Sequence, residues 1–94
     1  MVFKTDILDG LFSQVLRLTG VSKQEIFAEI REAHVVDARF VVMLALRRRG
    51  ISAASIGRLL KRDHTTVLSN IRACPRRCEK RPEFRYLVDE VCGD

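Results

Sequence analysis

Apolar residues recur at helical spacing along most of this chain, and the recurrence is repeatedly stopped by residues that end helices. That combination restricts the fold to short amphipathic helices packed on one another. Ile7, Leu8, Leu11, Val15 and Leu16 form one stripe, flanked by Phe12 and Leu18, and Gly20 stands where a helix takes a left-handed cap. Ser22 with Glu25 makes a capping box ahead of Ile26, Phe27 and Ile30. A third segment runs from about Val36 to Arg49, with Val36, Phe40, Val41 and Leu44 inward, and Gly50 stops it. Ser52 caps a segment from Ala53 to Leu60 that buries Ile56, Leu59 and Leu60, and Lys61-Arg62 supplies a turn. Gly57 costs that segment about 1 kcal/mol of helix propensity relative to Ala, but a small residue there lets a neighbouring helix approach closely. Asp63 caps a helix expected to span His64 to Cys74, because Pro75 opposes continuation. Pro82 suits the first turn of a last helix that buries Phe84, Leu87, Val88 and Val91. Nothing alternates with strand period. The expected fold is all-α, about six short helices around a helix-turn-helix.

Ninety-four residues, 47 % of them hydrophobic, fit a single domain over 1–94 with an ordinary interior. No apolar run approaches the length that crosses a bilayer, and no charged segment precedes an apolar stretch at the start, so a cytoplasmic protein with no membrane partner is expected. Residues 1–46 carry five cations against six acids, whereas residues 47–94 carry twelve against six. A solvated basic surface is one reading of that asymmetry; a polyanionic partner for the second half is the other. Cys74, Cys78 and Cys92 cannot all pair within one chain, and reduced thiols are the default without a secretion signal. Cys74, Cys78 and His64 invite a zinc site, but a second close pair of ligands is missing, so no metal and no cofactor is expected.

The chemistry concentrates in Arg62-Asp63-His64-Thr65-Thr66-Val67-Leu68. Val67, Leu68 and Ile71 give this helix an inward face. Its opening residues are types that reach base edges: an acceptor-only carboxylate, an imidazole, and hydroxyls that also carry methyl groups. A recognition helix needs that division, because its N-terminal residues meet the major groove while its far face is buried. Asp63 alone reads more readily as a simple N-cap, and the three polar residues after it read also as a solvated first turn. His64 lacks the neighbours that would make it a metal ligand or general base, and no nucleophile–base pair is visible, so no enzyme and no small-molecule substrate is expected.

Ser52-Ala-Ala-Ser-Ile56-Gly57 followed by Arg62-Asp63-His64-Thr65-Thr66-Val67-Leu68 resembles the C-terminal DNA-binding domain, domain IV, of the bacterial replication initiator DnaA. The heptapeptide is highly specific to that domain, and the likeness covers roughly residues 6–74, including Ile30-Arg31 and the segment with Arg39. It implies a TrpR-like helix-turn-helix architecture that binds double-stranded DNA at the DnaA box, of the form TTATNCACA. It also implies Arg62, Asp63, His64, Thr65 and Thr66 as major-groove readers and Arg31 as a minor-groove arginine. Arg47 matches a Lys that reaches DNA, and Ala53 and Ala54 sit where backbone amides meet phosphate. A narrow A/T minor groove favours Arg, and helix N-termini favour phosphate, so the physics agrees.

This sequence departs from that family in four respects. The turn before Arg62 is one residue shorter than a common Gly-Gly form and offers Lys61. The segment Arg31 to Asp37 is less basic, with Glu32 and Asp37 opposing DNA. Ser69 replaces a frequent DNA-contacting His. No Gly-x-x-x-x-Gly-Lys-Ser/Thr loop is present, so no ATPase is expected. These departures favour a small independent binder over the excised domain of a full initiator. The expected function is sequence-specific DNA binding in replication initiation or its regulation, on the nucleoid. The alternatives are a transcription regulator with a different target and a protein-interaction module; Cys92 and the last helix could then support weak self-association.

Overall fold

The computed structural model describes residues 4–93, so the outermost positions of the expected 1–94 domain lie outside the described residues. The described residues form helices only: α1 (Lys4–Thr19), α2 (Lys23–Phe27), α3 (Ala33–Arg48), α4 (Ala53–Leu60), α5 (His64–Lys80) and α6 (Pro82–Cys92). The all-α expectation holds. Local signals set most of the starts. Ser22 and Glu25 make both hydrogen bonds of the capping box, at 3.2 and 2.9 Å. Ser52 accepts from the Ser55 backbone N–H and Asp63 from that of Thr65, each as N-cap of its own helix. Pro82 opens α6, where its missing N–H costs no intrahelical bond.

α3 is the axis of the fold and contacts every other helix. Val35, Ala38, Val41, Val42, Met43, Ala45 and Leu46 are all buried, so its apolar surface reaches nearly all round rather than along one stripe. It also begins at Ala33, earlier than its periodicity suggested, so His34 and Val35 belong to the helix and Asp37 lies in its second turn. Leu16, expected in the core stripe of α1, is 49 % exposed, while Phe12 beside it is buried and meets the Phe27 ring edge-on at 5.7 Å. The choice between the two was made by α2, whose position no periodicity in α1 reveals.

The largest difference lies in α5. Pro75 was expected to end it, yet the helix runs on to Lys80 with Pro75 inside and exposed on its outer side. An interior proline forfeits one backbone hydrogen bond and costs about 3 kcal/mol. Tertiary contacts on both sides of the proline oppose that cost. Cys74 is 2 % exposed in the core. Arg77 donates to Asp37 at 2.6 Å and lies over the Phe40 and Phe84 rings at 5.1 and 5.6 Å. Arg81 adds a bond to the same carboxylate at 2.9 Å. Asp37 was read as an acid opposing DNA; buried between two guanidinium groups, it is instead the pin that holds the end of α5 to α3.

Candidate nucleic-acid interface

α4, the turn at 61–63 and α5 form the helix-turn-helix. Lys61 closes α4 in the left-handed conformation, φ 57° and ψ 47°, and the Arg62 N–H returns to the Gly57 carbonyl at 2.8 Å. A Cβ on Gly57 would stand 2.5 Å from the Arg62 carbonyl oxygen. Gly57 is therefore required, though the close approach is by the turn and not by the body of a neighbouring helix. Lys61 is the non-glycine with positive φ among the described residues, and it occupies the place where glycine would be free of strain.

The turn delivers α5 with its first residues outward. Asp63, His64, Thr65, Thr66 and Ser69 are exposed, whereas Val67 on the opposite face is fully buried. Thr65 and Ser69 are four residues apart and Thr66 and Ser69 three, so these hydroxyls share one side of the helix. Asp63 is occupied as a cap: the Thr65 backbone N–H and hydroxyl each donate to Oδ1 at 3.0 Å, and His64 Nδ1 lies 3.5 Å from the same oxygen. The bonds from Thr65 hold its carboxyl below the usual aspartate range. Among the described residues no hydrogen bond engages the hydroxyl of Thr66 or of Ser69, which leaves both available to a ligand.

A shallow groove runs beside this turn, lined among others by Arg31, Lys61, Asp63, Thr66 and Asn70. Arg31 and the first turn of α5, more than thirty positions apart in sequence, thus border one concavity. Asn70, which the sequence did not single out, lines the same groove. It follows Thr66 by one helical turn, which was the available signal, and its amide is half-buried with Nδ2 3.5 Å from Met43 Sδ.

The remaining sequence-derived residues fall elsewhere. Arg47 is exposed in the last turn of α3, and Ala53 and Ala54 open α4 behind the Ser52 cap. None of these three lines the groove. Arg62 does line the groove, but its side chain departs most from expectation. Its side chain is 12 % exposed, and its guanidinium turns inward to the carbonyls of Ile26, Phe27 and Ala28 at 3.2, 3.0 and 2.8 Å. A group with that many protein partners is not presented to the outer face.

Charge pairing adds to the sequence asymmetry. Asp37 is neutralised by Arg77 and Arg81, and Glu29 lies 3.6 Å from Arg62. Among the described residues no ion pair falls on Arg31, Arg47, Arg48, Arg49, Lys61, Arg72 or Arg76, so the uncompensated surface charge is positive. Free thiols at Cys74, Cys78 and Cys92 gather where α5 meets α6, and burial pushes the Cys74 thiol up to about 12. No three His, Cys, Asp or Glu side chains are grouped for a metal ion among the described residues. No helix is long and apolar enough to cross a membrane.

Comparison with known proteins gives a consistent assignment. The family described as bacterial dnaA protein helix-turn-helix matches residues 9–73. The chromosomal replication initiator protein DnaA of Thermotoga petrophila is 30 % identical over 91 residues, which covers 95 % of this chain and 21 % of that protein. The chain thus spans about a fifth of the length of this relative. No solved structure matches it.

Proposed function

The chain belongs to the bacterial DnaA helix-turn-helix family, and on that premise we propose that it binds double-stranded DNA sequence-specifically, at DnaA-box-like sites, in replication initiation or its regulation. One observation carries the reading. The polar first turn of α5 stands exposed while Val67 roots the same helix in the core, and Arg31 borders the groove beside it. A major groove admits an α-helix, and the adjacent minor groove admits a single arginine.

In this reading Asp63, His64, Thr65, Thr66 and Ser69 face base edges. Asp63 keeps its cap bonds on Oδ1 and accepts from a cytosine amino group on its other oxygen. Thr65, whose hydroxyl already donates to Asp63, offers chiefly its methyl, as to a thymine methyl. Arg31 enters the minor groove at the A·T end of the site. Lys61 and Arg47 meet phosphates, as do the backbone amides of Ala53 and Ala54 at the N-terminus of α4, where the helix dipole favours an anion. Residues 1–94 act as one binding unit on nucleoid DNA, and no step of the proposal requires catalysis.

Fluorescence anisotropy with a TTATNCACA duplex and a scrambled duplex tests this directly. The expected result is a preference for the box of at least about a thousandfold at physiological salt, the lower end for specific binders. Equal affinity for the two duplexes would refute sequence-specific binding at this site.

A further inference from the structure

Two arginines from different parts of the chain converge on the end of one short helix. α2 has only five residues, so most of its carbonyls have no partner within it. Arg39, from α3, donates through Nε to Ile26 at 2.9 Å and through Nη2 to Ala28 and Ile30 at 2.8 and 3.1 Å. Arg62, from the turn of the helix-turn-helix, donates to Ile26, Phe27 and Ala28. Like charges this close repel one another; burial first, and then Arg62, lowers the Arg39 pKa. Glu29 and the negative end of the carbonyl dipoles offset the repulsion. The planar guanidinium holds its donors in fixed directions on separate nitrogens, whereas a lysine ammonium carries its three donors on one rotating atom at the end of a flexible stem.

Arg39 satisfies carbonyls left open at the end of α2. Arg62 adds something different, because it belongs to the turn that aims α5. Its acceptors directly precede Glu29-Ile30-Arg31, and Arg31, Lys61, Asp63 and Thr66 line one groove. Resting on the DNA-binding reading above, we propose that Arg62 is a positioning residue: it fixes the segment carrying Arg31 at a set distance from the first turn of α5, so both reach one duplex in register. It reads no base itself. Holding the two elements before binding removes an ordering cost that would otherwise be met on the DNA.

The test uses Arg62→Lys, which keeps the charge and loses the fork, and Arg62→Met, which loses both. Amide hydrogen exchange in the free protein should quicken at residues 28–32 in either variant, with the first turn of α5 unchanged. Anisotropy is then run on the box, on boxes with G·C pairs at the TTAT end or with an altered CACA end, and on a scrambled duplex. Preference for the intact A·T end should fall roughly tenfold, the scale of one specific contact. Preference for CACA should persist, and adding Arg31→Ala should cause no further loss. A loss at the CACA end that adds to that of Arg31→Ala would make Arg62 a base reader and overturn the proposal. Unchanged exchange at 28–32, or both preferences intact in a variant with a lowered Tm, would overturn it as well. Failure of the wild-type protein to prefer the box defeats the DNA-binding reading itself, a result distinct from any the variants give.

Discussion

Both ends of α5 are rich in polar residues, yet those residues meet opposite surroundings. At its start Asp63, His64, Thr65, Thr66 and Ser69 stand exposed, bonded to little beyond their own turn. At its far end polar side chains are drawn inward: Arg77 is 20 % exposed and Arg81, just past the helix, 29 %, both on a carboxylate that is 5 % exposed. A helix that offers side chains to a partner must be held rigidly by something else. Here the buried Asp37 ion cluster and the apolar contacts of Val67 and Cys74 do the holding. Polarity alone therefore says nothing of role; the distinction is whether the group already has protein partners.

Breaking the anchored end should have the largest effect. Asp37→Ala leaves two guanidinium groups facing each other with only the exposed Glu83, 3.9 Å from Arg81, as counter-charge. A fully buried pair broken this way costs about 3–5 kcal/mol; water reaches both arginines here, so about 2–3 kcal/mol is expected. In a domain of this size that lowers Tm by roughly 10–20 °C in a thermal melt. Box preference below the melting range should survive. Collapse of specificity with Tm intact would mean that Asp37 serves the interface and not the anchor.

Breaking the presented end should do the reverse. His64→Ala or Thr66→Ala should cost about 1–3 kcal/mol on a box duplex and much less on a scrambled one. Tm should barely move, since surface changes fall within about 0.5 kcal/mol. Equal losses on both duplexes would remove these residues from base reading.

Lys61 sharpens the contrast, because it stands in a strained conformation at the hinge between the two helices. Lys61→Gly relieves the left-handed penalty of about 1–2 kcal/mol, partly offset by the greater freedom of glycine in the unfolded chain. A net gain of about 0.5–1 kcal/mol in urea unfolding is expected. If the ammonium meets a phosphate, the slope of log affinity against log salt should flatten by about one unit. Stability and affinity then move in opposite directions; a variant that gains both would show that the charge has no part in binding.

The smallest effect is in acid. Hydrogen bonds hold the Asp63 and Glu25 carboxyls below their ordinary values, from Thr65 and from Ser22 respectively. A depressed folded pKa contributes stability that is complete above the unfolded value of about 4 and is lost as pH falls through the folded value. Asp63→Asn and Glu25→Gln should each flatten the acid limb of a Tm-against-pH curve below about pH 4, where these carboxyls protonate. An unchanged limb would mean that the caps persist when protonated.

Sequence alone determined the features that depend on neighbours a few residues away. Ser22, Ser52 and Asp63 marked the starts of α2, α4 and α5, because a cap is a bond spanning two or three residues, and Pro82 marked that of α6 through its own fixed φ. The exposed turn at 63–66 was legible for the same reason, since Val67 and its periodic partners could face only inward. Tertiary structure decided everything that hangs on partners far along the chain. It carried α5 past Pro75, because Asp37 lies 40 residues from Arg77. It put Phe12 and not Leu16 against α2. It turned Arg62 toward carbonyls 34–36 residues away, where a run of reader-like residues gave no hint of inward bonds. A charged side chain pairs with whatever polar group the packing brings within reach, and the packing of six helices is a property of the whole chain.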